Sequence, residues 1–250
     1  MCLIAFAWNI HPRWRLVLAG NRDEYHARPS APLDRWNDMP VIAGRDLEAG
    51  GTWLGVSPLG RCGVVTNVRD PRLPQTGRSR GLLVTDWLAG KADAPAHARA
   101  LCRDAARYRP FNLLTFDAQA AFYLGNRPEP RLQAVTPGVH GLSNADFNTP
   151  WPKTRQLMAR LQAWLDEGAE DVAPLFAALA DEQPALDHEL PDTGVGRERE
   201  RWLSPAFIRG REYGTRASTL VLIDRTGGGR IIERRFGPEG RPDGQSDMVW

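Results

Sequence analysis

The chain has 250 residues, of which 42% are hydrophobic and 25% charged, and its net charge is +2. That length suits one domain of about 200–250 residues or two small ones, and the composition excludes disordered, collagen-like and coiled-coil classes. So small a charge gives no reason to expect a nucleic-acid partner, and no apolar run approaches the roughly 18–20 residues that span a bilayer.

Cys2–Trp8 is a continuous apolar run of strand length, the pattern of a strand buried on both faces. Residues 15–20 predict a second strand, with His11-Pro12 in the turn, so the chain opens on a hairpin. Asn21–Pro32 reads as a polar loop, and Val41–Gly44, Thr52–Ser57 and Arg61–Val68 as three short strands. The period then becomes helical over Ser79–Ala89 and Pro95–Tyr108. Phe111–Phe116 and Ala120–Leu124 form a hairpin, and Val139–Leu142 a short strand. Thr149 can cap a helix with Pro150 in its first position, and Leu157, Leu161, Trp164 and Leu165 give that helix one apolar stripe. A second helix covers about 170–180. Residues 183–200 read as an exposed polar excursion, and Thr215–Asp224 with Arg230–Phe236 as a terminal hairpin. The links are mostly hairpins, with no interior linker and no repeat, so the expectation is one domain over 1–250 with mainly antiparallel sheets and helices outside them.

Cysteine usage bears on both compartment and chemistry. Cys2, Cys62 and Cys102 cannot all pair and make no Cys-x-x-Cys, so a disulfide framework and a cysteine zinc site are both unsupported, and a reducing compartment, the cytoplasm, is expected. The apolar start lacks a basic n-region and a cleavage site and does not read as a signal peptide. If Met1 is removed, Cys2 holds a thiol and a free α-amine, with unperturbed pKa values near 8.5 and about 7.7–8.0. The amine can then serve as base for its own thiol. The competing reading of Cys2 is a small residue that merely starts a strand. Arg22 in the run Asn21-Arg22-Asp23-Glu24 can lower a thiol pKa or dock an anion, and Asp23 can hold the α-ammonium; the same run also reads as a turn with a local ion pair. Asn67 and Asn144 each end a strand, where an amide can reach an oxyanion or simply serve a turn. The five histidines have no metal-ligand spacing, no serine sits in a nucleophile elbow, and the glycines at 227–229 lack a P-loop lysine, so neither metal nor cofactor is expected. Of the 32 basic residues only Lys91 and Lys153 are lysines, a bias that genome composition can explain as well as function can.

The stretches MCLIAFAWN, AGNRDEYHARP, AGRDLEAGGTWLGVS, GVVTNVRDP, HGLSNADFNTPWPKT and EYGTRASTLVLID run in order from residue 1 to about 224. Together they resemble the NRDE family, also called the transport-and-Golgi-organisation 2 family, which is placed with the N-terminal nucleophile hydrolases. The resemblance implies an α+β fold, a four-layer αββα sandwich. It also implies Cys2 as nucleophile, Arg22 and Asp23 as a positioning pair, Asn67 and Asn144 as oxyanion and intermediate-binding residues, and Arg216 as a distal arginine. Trp53, within the glycine motif, would lie on the pocket wall. In the cysteine acylases of that superfamily the Arg and Asp are separated, whereas here they are adjacent. On an extended backbone they point to opposite sides, which leaves one role open to Glu24 or Tyr25. Two functions follow: an amide hydrolase or acyltransferase acting on a small acyl or amide substrate, or a non-catalytic trafficking protein for haem, acyl-CoA or lipid on the same fold. The state of the mature N-terminus separates them.

Overall fold

The computed structural model describes residues 2–74 and 76–250. A six-stranded antiparallel sheet has the order β10-β1-β2-β11-β12-β13. Its strands are β1 (Cys2–Trp8), β2 (Trp14–Tyr25), β10 (Gly138–Leu142), β11 (Tyr213–Asp224), β12 (Gly229–Phe236) and β13 (Pro242–Val249). A seven-stranded sheet runs in sequence order through β3 (Ser30–Arg35), β4 (Ile42–Asp46), β5 (Leu54–Val56), β6 (Cys62–Asn67), β7 (Phe111–Phe116), β8 (Ala121–Gly125) and β9 (Arg131–Ala134). Helices α1 (Gly81–Ala89) and α2 (Ala94–Asp104) belong to the second sheet, and α3 (Pro152–Asp166) and α4 (Ala173–Leu179) to the first; α5 (Arg197–Trp202) is a short helix before β11.

Strand alternation separates the layers. Ile4, Phe6 and Trp8 of β1 and Leu16 and Leu18 of β2 meet Ile42, Val56, Val64 and Phe116 between the sheets. Leu3, Ala5, Ala7, Val17 and Ala19 point the other way, onto Leu157, Leu161 and Trp164 of α3 and Leu175 and Leu179 of α4. Val65, Leu113 and Leu124 pack under Leu83, Val84, Trp87 and Leu88 of α1. The order of layers is therefore helix, sheet, sheet, helix, and it explains why every residue of β1 is apolar: the strand is flanked by β10 and β2 and covered on both faces. Each large apolar side chain so buried contributes about 1.5–3 kcal/mol. Gly141 fixes the seating of α3, because a Cβ there would fall 2.3 Å from Thr154 Cγ2.

The structure corrects several expected boundaries. The run at 21–25 is not loop; β2 continues through it because β11 pairs with it as far as Tyr213↔Tyr25. β3 then begins within the expected loop, and neither β9, only Arg131-Leu132-Gln133-Ala134, nor the mostly polar β13 carries the apolar signal that strands were read from. α3 starts two residues later than expected, with Trp151 as N-cap and Pro152 first, while Thr149 Oγ1 donates to Asp146 O instead. The second α-helix ends at Asp104 and a 3₁₀ turn follows it. The excursion at 183–200 is not wholly exposed, since its last residue, Glu200, is buried.

Candidate active site

Cys2 stands at the start of β1, directly opposite Arg22 of β2. Alternation along β2 puts Arg22 and Glu24 on the face of Leu16 and Leu18, between the sheets, and Arg22 Nη2 lies 3.8 Å from Glu24 Oε2. Asn21 and Asp23 occupy the opposite face. The Asn21 amide donates to Leu179 O and Ala206 O at 2.8 Å and accepts from Ser218 Oγ at 2.7 Å, which makes it an anchor for the helix layer. Asp23 Oδ1 accepts from Thr215 Oγ1 at 2.7 Å, and that same hydroxyl receives Ile208 N at 2.9 Å.

Asn67 ends β6 and Asn144 follows β10, so the two asparagines come from different sheets. Asn144 Nδ2 donates to both Asn67 O and Asn67 Oδ1 at 3.0 Å. Neighbouring bonds join the sheets at the same point: Thr66 Oγ1 donates to Ser143 O at 2.7 Å and Ser143 Oγ to Cys2 O at 2.9 Å. The nucleophile candidate is thereby tied through its own carbonyl to the segment that carries Asn144.

A cavity of about 210 Å³ opens there between the sheet ends, lined by Cys2, Arg22, Asp23, Glu24, Trp53, Asn67 and Arg216 among others. Asn144 lies behind Asn67 and is almost wholly buried. Trp53 lies close over Gly20, where a Cβ would come 3.4 Å from the indole and 3.0 Å from Leu3 O. Arg216 sits at a bulge of β11, and its Nη1 donates to Tyr25 O at 3.0 Å and Arg28 O at 2.9 Å, bracing the turn after β2. Arg28, Arg45, Arg80, Arg109 and Arg235 also reach the cavity. Among the described residues no group of His, Cys, Asp and Glu is arranged to hold a metal.

Burial pushes the Cys2 thiol up, and Arg22 works against that shift. Burial likewise raises Asp23, opposed first by Lys153. Lys153, desolvated on α3, falls to about 8. Sequence reading missed this group behind the sheet. Arg69 pairs with Glu200 at 2.7 Å, both side chains at most 5% exposed, and the guanidinium lies over the Trp151 ring. One signal for Lys153 was present: it falls four residues before Leu157 and eight before Leu161, so a lysine continues the apolar stripe of α3.

Layer order, sheet topology and a cysteine that starts the central strand and lines the cavity between the sheets define an N-terminal nucleophile hydrolase fold. The conjugated bile acid hydrolase of Clostridium perfringens, solved as a C2A mutant, superposes with a TM-score of 0.55 at 8% identity, covering 99% of this chain and 92% of its own. A Caenorhabditis elegans N-acylethanolamine-hydrolyzing acid amidase ortholog gives 0.50 at 10% identity, over 88% and 92%. At such identities the likeness is one of fold. The chain itself belongs to the Transport and Golgi organisation 2 family, whose model matches residues 1–238. It is 35% identical to the Transport and Golgi organization protein 2 homolog of Homo sapiens, over 94% of this chain and 92% of that one, and 26% identical to the Drosophila melanogaster protein over 93% and 91%.

Proposed function

We propose that the protein is an N-terminal-cysteine amide hydrolase or acyltransferase acting on a small acyl or amide substrate. The observation that carries this reading is the placement of Cys2: its side chain reaches a cavity between the sheets, with Arg22 opposite it and Asn67 on the wall. Removal of Met1 frees the α-amine of Cys2. That amine takes the thiol proton, and Sγ adds to the acyl carbon. The Asn67 amide donates to the resulting oxyanion, and Asn144 holds Asn67 in register. Collapse breaks the acyl–nitrogen bond, with the α-ammonium returning its proton to the departing amine. Water, or a second amine in the transferase case, then adds to the thioester and releases Cys2 as thiol.

The two structural neighbours, an acid amidase ortholog and a bile acid hydrolase, support this chemistry by analogy of fold. The unpaired state of all three cysteines supports a reducing, cytoplasmic setting. The test joins two measurements: intact mass, expected to lack Met1, and a hydrolysis screen over N-acyl amides of increasing chain length, expected to turn over in the wild type and not in C2A. Retention of Met1 with undiminished binding in C2A would instead favour a carrier of haem, acyl-CoA or lipid.

A further inference from the structure

Lys153 is the only lysine in the protein's helix–sheet interior, and nothing in the chemistry above uses it. It is 3% exposed. Its Nζ donates to Leu203 O at 2.8 Å and lies 3.5 Å from Pro205 O, so one of three ammonium hydrogens is left over. Among the described residues it has no carboxylate within ion-pair distance. The segment it clamps is also tied to β2 and β11. Ala206 O receives Asn21 Nδ2, and Ile208 N donates to Thr215 Oγ1, which donates in turn to Asp23 Oδ1. One continuous set of bonds therefore runs from the ammonium to the carboxylate of Asp23, a residue on the lining of the Cys2 cavity whose side chain faces the helix layer.

We infer that Lys153 is a positioning residue: clamped behind the six-stranded sheet, it keeps the Asp23 carboxylate charged and fixed at the Cys2 cavity, giving the nucleophile's α-ammonium an anion to rest against. The inference deepens the proposed function and rests on it for the role of the α-amine. Its physical basis is that a buried carboxylate without a nearby cation takes up a proton, whereas a cation in the same low-dielectric layer holds it ionised. The α-ammonium that Asp23 is to hold also favours the carboxylate, second to Lys153, and the remaining charged groups facing Asp23 do not replace the lysine. Arg69 is already neutralised by Glu200. Tyr213, which donates to Asp23 O, is neutral, with its phenol pushed well up by burial. Cys2 opposes a second anion, and Arg22 and Glu24 lie on the other face of β2.

The test uses the full chain with its native N-terminus. The carboxyl carbon of Asp23 is followed by ¹³C NMR against pH in wild type, K153Q and K153M, with D23N fixing the assignment and circular dichroism checking the fold. Glutamine keeps a donor for Leu203 O without the charge, and methionine keeps neither. The Asp23 midpoint is expected to rise by about one unit or more in both variants. A midpoint in folded K153Q equal to wild type overturns the inference, because a purely structural lysine would leave it unmoved. Should neither variant fold, the wild-type titration decides: Asp23 ionised at neutral pH supports the inference, and Asp23 protonated there overturns it. Separately, alkylation of wild-type Cys2 by iodoacetamide tests the nucleophile reading, so failure of that reading and failure of the lysine's role give different results.

Discussion

The side-chain amide of Asn144 reaches across from the first sheet and spends both its hydrogens on Asn67, one on the backbone carbonyl and one on the side-chain oxygen. The second bond fixes which way the Asn67 amide faces: with Oδ1 occupied, its Nδ2 is the group left to turn toward the cavity, and among the described residues it donates to Val68 O at 3.3 Å. If Asn67 is the oxyanion donor, N67A should lower kcat about 10²–10³-fold with little change in KM. N144A should lower kcat as well, through the loss of that orientation. N144D should do the same, because a carboxylate cannot donate to Asn67 Oδ1. Steady-state kinetics on whichever amide the wild type hydrolyses would check this, and an N144D with full kcat would remove the link.

Thiol chemistry offers a prediction that needs no substrate. Cys62 is fully buried between the sheets and its thiol is held far up by desolvation, whereas Cys2 touches the cavity and has Arg22 opposite. Iodoacetamide should label Cys2 well ahead of Cys62 and Cys102. The pH dependence should report an apparent value for the coupled thiol and α-amine rather than for either alone. C2S should lose most turnover, since a hydroxyl is a far weaker acid for the same base. C2A should fold, at a cost of roughly 1 kcal/mol. Peptide mapping that finds Cys102 labelled first would count against an activated Cys2.

How much of this was legible beforehand differs by residue. The apolar run of β1 announced a strand covered on both faces, and the resemblance carried the sandwich. The adjacency of Arg22 and Asp23 implied opposite faces, and β2 has them so, because the strand stays extended through both. Where β2 ends was not legible: residues 21–25 are polar and read as loop, and only the partner strand β11, almost two hundred residues later, supplies the ladder that holds them. β13 was invisible for the same reason, since an edge strand of Pro242–Val249 exposes most of its side chains and carries no apolar period. The Arg69–Glu200 pair joins residues 131 apart, and a lone glutamate in a charged run gives no sign that it alone turns inward.

That pair makes a stability prediction of its own. Glu200 takes Arg69 Nη1 on one oxygen at 2.7 Å and Thr193 N and Oγ1 on the other at 2.9 and 2.6 Å. E200A leaves a guanidinium buried without its anion and frees the Thr193 turn, and should destabilise the chain by about 3–5 kcal/mol. Replacing both partners by apolar residues of matching volume should cost far less. Urea unfolding of wild type, E200A and an R69M/E200L pair would measure it; equal losses in the single and double variants would show that packing, not the stranded charge, sets the cost.

Lys153 should leave a mark on stability as a function of pH. Its folded pKa is about 8 against an ordinary 10.5, with burial as the main cause and Asp23 as the main opposing one. A lysine with a depressed folded pKa binds fewer protons in the native than in the unfolded state between those two values. Stability contributed by this group therefore rises with pH across that window and is flat below it. The difference of about 2.5 units corresponds to roughly 3 kcal/mol once both states are deprotonated. K153M has no proton to lose at this position, so above about pH 8 the gap in unfolding free energy between wild type and K153M reports the lysine, while the altered Asp23 titration expected in K153M contributes at lower pH. That gap should shift in favour of the wild type by about 2–3 kcal/mol between about pH 7.5 and 10.5. Urea titrations at half-unit steps would trace it. A gap independent of pH over the whole range would mean that Lys153 stays protonated through it, and that the ammonium is better solvated by Leu203 O, Pro205 O and Asp23 than its burial implies.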